Sequence, residues 1–449
     1  MEKKRSNFSG GLGFVFAAAG SAVGLGNIWR FPYLAAQYGG GIFILVYLIL
    51  AVTFGFAMLT AEIAIGRKTK LSPVLAYKKL NSKFGFLGVL AVIVPIIICP
   101  YYCVIGGWVT KYVTVYAQGL ATQAAGDNYF SDFIGNPWSP LVFFLIFMGL
   151  SVCVILIGVK NGIEKISKFL MPMLIILTIG ISVYALTLPG ALDGVAYYLV
   201  PDFSKFSLMT VAGALGQLFY SMSLAMGIMV TYGSYTKNEV NLTKSVNQIE
   251  IFDTAVALLA GLMVVPAVYV FSGEEGLGAS GPGLMFITLP KVFNEMPAGG
   301  IIGFLFFVLV FFAAITSSIS VMEAIVSSLM DKFKLTRIKS CLIVIVICLI
   351  MGIPSSLGNG IWSNVKILGM DFLTFFDFLS NSIIMPIVAL CILIGWVIKP
   401  KTIADEVTRN GERFSRRALF DVMIKYIAPI CLVFILISYT LAQFGIISL

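Results

Sequence analysis

The chain has 449 residues, of which 59% are hydrophobic and 11% charged, and its mean hydropathy is +0.99. A soluble domain carries about 25% charged residues, so the composition excludes a water-soluble enzyme, a disordered chain and, despite a net charge of +9, a nucleic-acid binder. Histidine is absent, which removes histidine acid–base catalysis, haem ligation and most zinc or copper sites.

A hydrocarbon core about 30 Å thick needs about 20 helical residues. Apolar runs of that length recur from end to end, and because backbone groups in lipid must bond internally, each reads as a helix. Spans are expected at 11–37, 41–65, 85–117, 140–159, 165–188, 206–233, 249–271, 299–329, 338–354, 371–398 and 421–447. The N-terminal Met1-Glu-Lys-Lys-Arg5 carries the charge of a signal segment. The run that follows, Gly11 to Tyr38, is long, glycine-rich, interrupted by Arg30 and without a clear cleavage site, so it reads as a retained first span. The expectation is an all-α, polytopic membrane protein of eleven helices. The loops about 118–139 and 272–298 are too short for a soluble domain, so residues 1–449 form one transmembrane unit.

Span one contains Gly20-Ser-Ala-Val-Gly24-Leu-Gly26-Asn27-Ile-Trp-Arg30-Phe-Pro32. Glycine costs about 1 kcal/mol relative to alanine inside a helix, and proline about 3. A purely structural span would avoid that density. An unwound stretch frees carbonyls for a cation and leaves a half-helix N-terminus facing an anion. Gly20-x-x-x-Gly24 also fits close helix packing, but Asn27 and Arg30 do not. In span two, Glu62 reads as a brace for the broken helix. Span six carries Gln217-Leu-Phe-Tyr220-Ser221-Met-Ser223-Leu-Ala-Met226-Gly227, a second small, hydroxyl-rich interruption five spans after the first. Matching broken helices in two five-span halves, about 11–188 and 206–398, point to an inverted-repeat transporter with the span at 421–447 outside the repeat. Asp253 in span seven is costly in lipid unless a cation lies close or it reaches water at the cytoplasmic end. Span eight presents Ala313-Ala-Ile-Thr316-Ser317-Ser318-Ile-Ser320, hydroxyls suited to a hard cation or to helix–helix hydrogen bonding.

With the N-terminus inside, most of the 30 Lys and Arg fall on the cytoplasmic side, and only Lys205, Lys291 and Lys366 lie in the opposite loops. The odd span count leaves the C-terminus outside, across a bacterial inner membrane. The seven cysteines (99, 103, 153, 341, 348, 391 and 431) lie in or beside apolar runs and read as space-filling thiols rather than disulfides or metal ligands. No Gly-x-x-x-x-Gly-Lys-Ser/Thr motif indicates ATP, and no catalytic cluster converges.

These residues resemble the neurotransmitter:sodium symporter family, nearest its bacterial amino-acid branch with the leucine-transporter fold. The similarity runs over about residues 5–398 and into span eleven. It is carried by the Gly20–Pro32 run, Tyr38-Gly39-Gly40-Gly41, Tyr101-Tyr102 with Trp108, Gly281-Pro-Gly-Leu-Met-Phe-Ile-Thr-Leu-Pro290 and Thr316-Ser317-Ser318. The resemblance implies two sodium sites. One takes the carbonyls of Gly20, Val23 and Ala313 with the hydroxyls of Thr316 and Ser317. The other takes the Ala22 carbonyl, Asn27, Ser221 and Asp253, with the substrate carboxylate as a further ligand. It implies an amino acid whose carboxylate meets the Leu25 and Gly26 amides and the Tyr102 hydroxyl, and whose ammonium meets carbonyls near Ala22, Tyr220 and Ser223. The side chain would meet Ile98, Tyr220, Ser223, Met226, Ser318 and Val321. Arg30 with Asp371, or with the competing Asp377, resembles an outer gate near Gln217. Arg5 with Asp331, assisted by Ser234 or Tyr235, resembles an inner gate. Chloride-dependent relatives carry Asn at the position of Asp253 and Ser at that of Ala257, so chloride-independent transport is expected. The missing twelfth span resembles an eleven-span subgroup that includes a tyrosine transporter, which favours tyrosine or another large hydrophobic amino acid. Partners beyond substrate, sodium and lipid are not implied: no nucleic acid and no obligate protein.

Overall fold

Long apolar runs leave main-chain donors and acceptors no partner but each other. The computed structural model is accordingly helical, with no strand longer than an isolated bridge among the residues it describes, which are 7–278, 281–384, 388–443 and 446. In chain order the principal helices are α1 (Gly11–Ala22), α2 (Gly26–Gln37), α3 (Gly41–Thr69), α4 (Ser82–Ala117), α5 (Ser139–Ile157), α6 (Val159–Leu186), α7 (Leu208–Ser221), α8 (Ile228–Tyr235), α9 (Leu242–Gly273), α10 (Gly299–Phe333), α11 (Arg337–Leu357), α12 (Phe372–Val397) and α13 (Arg417–Ala442). Among the described residues nine of these are long and apolar enough to cross a bilayer by themselves, and α1 with α2 makes a tenth crossing bent by 52°.

Burial sorts the helices into an interior and a rim. The most apolar stretch of α4 is 78% buried, against 33% for α6 and α13. Phe169, Ile176 and Val183 on α6, Ile343, Val346 and Ile350 on α11, and Ile430, Val433 and Ile437 on α13 are exposed at three-, four- or seven-residue spacing. An apolar stripe turned outward reverses the pattern of a soluble helix and marks the lipid-facing side. Inside, α4 packs on α5, α10 and α11, and α8 lies along α3. That last contact depends on glycine: a Cβ on Gly66 would sit 2.0 Å from the Val230 carbonyl oxygen, and one on Gly233 would sit 2.3 Å from that of Ile63.

Two interruptions lie in this interior. α1 stops at Ala22, Val23 turns extended (ψ 94°), and the chain re-enters a helix at Gly26 through a wide π turn. Between α7 and α8, Ser223, Ala225 and Gly227 take positive φ of 52°, 58° and 68°. Left-handed backbone at a residue with a side chain costs of order 1–3 kcal/mol, so the surroundings must hold it. Glu62 of α3 does so: its Oε1 accepts the Ala225 N–H at 2.6 Å. The brace expected of Glu62 is thus present, applied to the second break.

Candidate functional site

The two breaks meet. The Ser21 and Ser223 hydroxyl oxygens are 3.2 Å apart, and Ser223 also donates to the Ser21 carbonyl at 3.1 Å. Ser317 of α10 donates to the same carbonyl at 3.1 Å and reaches that of Gly20 at 3.4 Å. A Cβ on Gly24 would fall 2.6 Å from the Ser317 hydroxyl, and one on Gly26 would fall 2.8 Å from the Tyr220 ring. Glycine here permits backbone approach that any side chain would block.

Around this junction lie two sets of oxygens. In the first, Ser317 sits on Gly20, and Thr316 donates to the carbonyls of Phe312 at 2.9 Å and Ala313 at 3.1 Å. A Cβ on Gly20 would be 3.4 Å from that of Thr316, which puts α1 and α10 in direct contact, with buried Val23 at the helix end. Carbonyls freed at a helix end, facing hydroxyls, suit a monovalent hard cation. The second set centres on Asp253 of α9, which is fully buried. Its Oδ1 accepts from Ser221 at 2.6 Å and from Asn27 Nδ2 at 2.8 Å, and its Oδ2 accepts from the Tyr47 hydroxyl at 3.1 Å. Asn27 also donates to the Asp253 carbonyl at 3.1 Å and takes the Gly24 N–H on its Oδ1 at 3.2 Å. Asp253 therefore does not reach water, and its hydrogen-bond partners are neutral dipoles. A buried carboxylate in that state favours a nearby cation. One turn on, Ala257 is buried and offers only a methyl.

Beside both sets is a cavity bordered by Ala22, Leu25, Gly26, Ile98, Tyr102, Tyr220, Ser223, Met226 and Val321, together with Ser21, Gly24, Ser221 and Ser317. Ser318 is not on its wall. Its hydroxyl faces the Cys103 sulfur at 3.7 Å, and Ser317 takes the place expected of it. Successive helical residues point about 100° apart, and on α10 that rotation turns Ser317 to the cavity and Ser318 to α4. The Tyr102 hydroxyl is buried beside the Ser317 hydroxyl and the Leu25 amide and makes no hydrogen bond of ordinary geometry. A buried unpaired polar group costs about 1–3 kcal/mol, which a ligand acceptor would recover.

At one end of the cavity Arg30 lies over the Tyr220 ring, 5.4 Å from its centre, and donates to the Tyr439 hydroxyl of α13 at 3.2 Å. Asp371 is not brought to Arg30. It is the N-cap of the first turn of α12 and takes the Thr374 N–H at 2.9 Å and the Thr374 hydroxyl at 2.7 Å. Asp377 faces inward and accepts from Tyr101 at 3.0 Å and Asn381 at 2.6 Å. Gln217 donates to the Gly26 carbonyl at 2.8 Å, tying α7 to α2. At the other end, Asp331 accepts the Ser72 N–H at 2.7 Å, and Ser234 donates within its own helix to Thr231 at 2.5 Å. Tyr235 donates to Glu323 at 2.6 Å. Arg5 lies outside the described residues.

Sequence reasoning passed over Tyr47, Tyr439 and the pair of buried Glu323 with half-buried Arg337, whose two bonds measure 2.7 and 2.8 Å. A glutamate within an apolar helix was a usable signal for the last. The tyrosines carried none, because tyrosine is common in membrane helices and its partner is set only by packing.

A family model described as the sodium:neurotransmitter symporter family matches residues 5–132 and 130–446. An uncharacterized sodium-dependent transporter of Haemophilus influenzae is 32% identical over 97% of this chain and 98% of its own length. The uncharacterized sodium-dependent transporter YhdH of Bacillus subtilis is 34% identical over the same shares. The crystal structure of MhsT in complex with L-phenylalanine matches with a TM-score of 0.88 at 35% identity, covering 97% of this chain and 100% of that one.

Proposed function

Since the chain belongs to the sodium:neurotransmitter symporter family, and is therefore a membrane transporter rather than an enzyme, we propose that it imports a hydrophobic or aromatic amino acid, tyrosine favoured, in symport with sodium. The observation that carries this reading is the junction itself: a partnerless Tyr102 hydroxyl and a cavity stand beside a buried carboxylate that meets only neutral donors.

Sodium occupies two sites in this reading. One lies among Gly20, Val23, Ala313, Thr316 and Ser317. The other lies among Ala22, Asn27, Ser221 and Asp253 and is completed by the substrate carboxylate. A ligand whose own anion finishes the cation shell couples the two binding events, since each strengthens the other reciprocally. The amino-acid carboxylate meets Tyr102 and the N-terminal end of α2. The side chain lies among Ile98, Met226 and Val321, with the Ser223 and Ser317 hydroxyls admitting a polar tip. The MhsT complex, whose ligand is L-phenylalanine, supports an aromatic substrate. Alternating access opens this site to either side, with Arg30 and Tyr220 on the outer path and Asp331 and Tyr235 on the inner. Counting α7 with α8 as one crossing makes eleven, arranged as two inverted five-span halves and a last span in one domain. The charge asymmetry of the loops supports a bacterial inner membrane location, with the N-terminus cytoplasmic and the C-terminus external.

Uptake into proteoliposomes under a sodium gradient, competed by a panel of amino acids, tests the reading. Tyrosine, phenylalanine and other large apolar amino acids should compete, and glycine should not. Accumulation that ignores the sodium gradient would end the proposal. Replacing external chloride with gluconate should leave uptake unchanged, because Asp253 provides the negative charge that an anion supplies elsewhere; loss of uptake would remove that role.

The last span takes part in the outer gate through Tyr439. Hydrogen bonds to charged groups contribute about 1.5–3 kcal/mol, so Tyr439→Phe is expected to speed the escape of bound substrate to the outside by about tenfold. Release from preloaded protein, measured by isotope dilution, reads this directly. An unchanged rate would leave Tyr439 a packing residue.

A further inference from the structure

Three cysteines that the sequence reading treats as fillers come together behind the cavity wall. Cys99 and Cys103 stand one turn apart on α4, and Cys348 reaches them from α11. All three are buried, their sulfurs lie within 4.8 Å of one another, and those of Cys99 and Cys348 are 3.4 Å apart. We propose that this cluster is an inhibitory site for a thiophilic divalent ion of the cadmium or mercury class.

The donor set selects the ion. At the zinc–sulfur length of about 2.3 Å, three sulfurs around one ion in a plane stand about 4.0 Å apart; a larger thiophilic ion spreads them somewhat further, and the cluster, with its sulfurs 3.4 Å to at most 4.8 Å apart, is close to that spacing. The Ser318 hydroxyl stands 3.7 Å from the Cys103 sulfur. Soft sulfur ligands favour soft ions over sodium, which takes oxygen. Charge balance favours a divalent occupant: M2+ displaces the protons of two thiols to solvent, bonds to the two resulting thiolates, and takes the third thiol as a neutral donor. The product M(SR)2 is uncharged and so avoids the penalty of burying a net charge in an apolar interior.

The site sits where occupation would be felt. Cys99 and Cys103 directly follow Ile98 and Tyr102, both on the cavity wall, and Cys103 meets Ser318, which follows Ser317. A metal bridge from α4 to α11 clamps the wall that carries the partnerless Tyr102 hydroxyl.

The test is titration of the purified full chain with Cd2+, followed by thiolate-to-cadmium charge-transfer absorption in the ultraviolet, beside sodium-driven uptake in proteoliposomes. The band should saturate at one equivalent and uptake should fall in parallel. Cys348→Ser should raise the half-inhibitory concentration by about tenfold or more, the scale of losses in metal affinity when a site is disturbed. Cys99→Ser, on the other helix, should do the same, while Cys153→Ser, at an exposed cysteine outside the cluster, should not. Absence of the band in the wild-type chain overturns the site without recourse to any variant. A band that survives both cluster substitutions overturns it too, and full occupation with undiminished uptake overturns the inhibitory role. None of these outcomes touches the assignment of amino-acid transport.

Discussion

Asp253→Asn is expected to raise the sodium concentration for half-maximal uptake by about 100-fold, equivalent to about 2.8 kcal/mol at 1.4 kcal/mol per decade. The carboxylate is buried and receives three hydrogen bonds, from Ser221, Asn27 and Tyr47. Every donor is neutral, so these bonds favour the carboxylate without cancelling its charge. A unit charge about 4 Å from a cation contributes about 4 kcal/mol at an effective dielectric near 20. Asparagine keeps an oxygen at the position but loses that charge, and its amide hydrogens face the donors that Asp253 now accepts from. Substrate affinity should fall at limiting sodium and recover as sodium is raised, as reciprocal coupling requires. Pairing the change with Ala257→Ser should make uptake depend on chloride, since the Tyr47 and Ser221 hydroxyls would then stand with a new hydroxyl and a new amide and without a fixed anion. Sodium titrations of uptake at constant ionic strength measure both effects. A sodium affinity that stays within a factor of two in Asp253→Asn would take the residue out of the cation site.

The second large effect is expected at Tyr102. Its hydroxyl is buried beside the Ser317 hydroxyl and the Leu25 amide without a hydrogen bond of ordinary geometry, and in the proposed complex it donates to the substrate carboxylate. Hydrogen bonds to charged groups contribute about 1.5–3 kcal/mol, and an unsatisfied buried polar group costs about 1–3. Tyr102→Phe should therefore weaken substrate binding by about 10- to 100-fold while leaving the melting temperature of the substrate-free protein unchanged or higher. The opposite signs separate a binding role from a packing role, because a tyrosine that only fills space would lose stability and affinity together. Equilibrium binding at saturating sodium and a thermal melt without substrate provide the two readings. Affinity unchanged by the substitution would place the carboxylate elsewhere.

Much of this architecture was legible in the chain because the bilayer allows few solutions. Helix is the one open-chain form in which a lipid-exposed segment satisfies its own backbone, so run length alone located most crossings to within a few residues. The expected span at 85–117 is α4 at 82–117, and that at 140–159 is α5 at 139–157. The interruptions were legible for the complementary reason: three glycines, Asn27, Arg30 and Pro32 in one apolar run make sense only if the helix breaks, and it breaks at 23–25. Asp253 stood out because an isolated carboxylate in an apolar helix needs a reason.

What the one-dimensional pattern could not decide is which side chain meets which. Thr316, Ser317 and Ser318 are equivalent by composition, yet a rotation of about 100° per residue sends Ser317 to the cavity and Ser318 to Cys103. Asp371 and Asp377 compete on paper for Arg30. In the fold Asp371 sits at a helix N-terminus, where exposed N–H groups attract a carboxylate, and Arg30 turns to a tyrosine more than 400 positions away. Three cysteines scattered over 250 residues share no local signature, and only the packing of α4 against α11 brings their sulfurs together. The sequence by itself determined the solvent, the helices and the places where they must break, because those follow from the free energy of single segments in lipid. The tertiary structure alone decided the partners, because they depend on how rigid helices of fixed pitch rotate against one another when they pack.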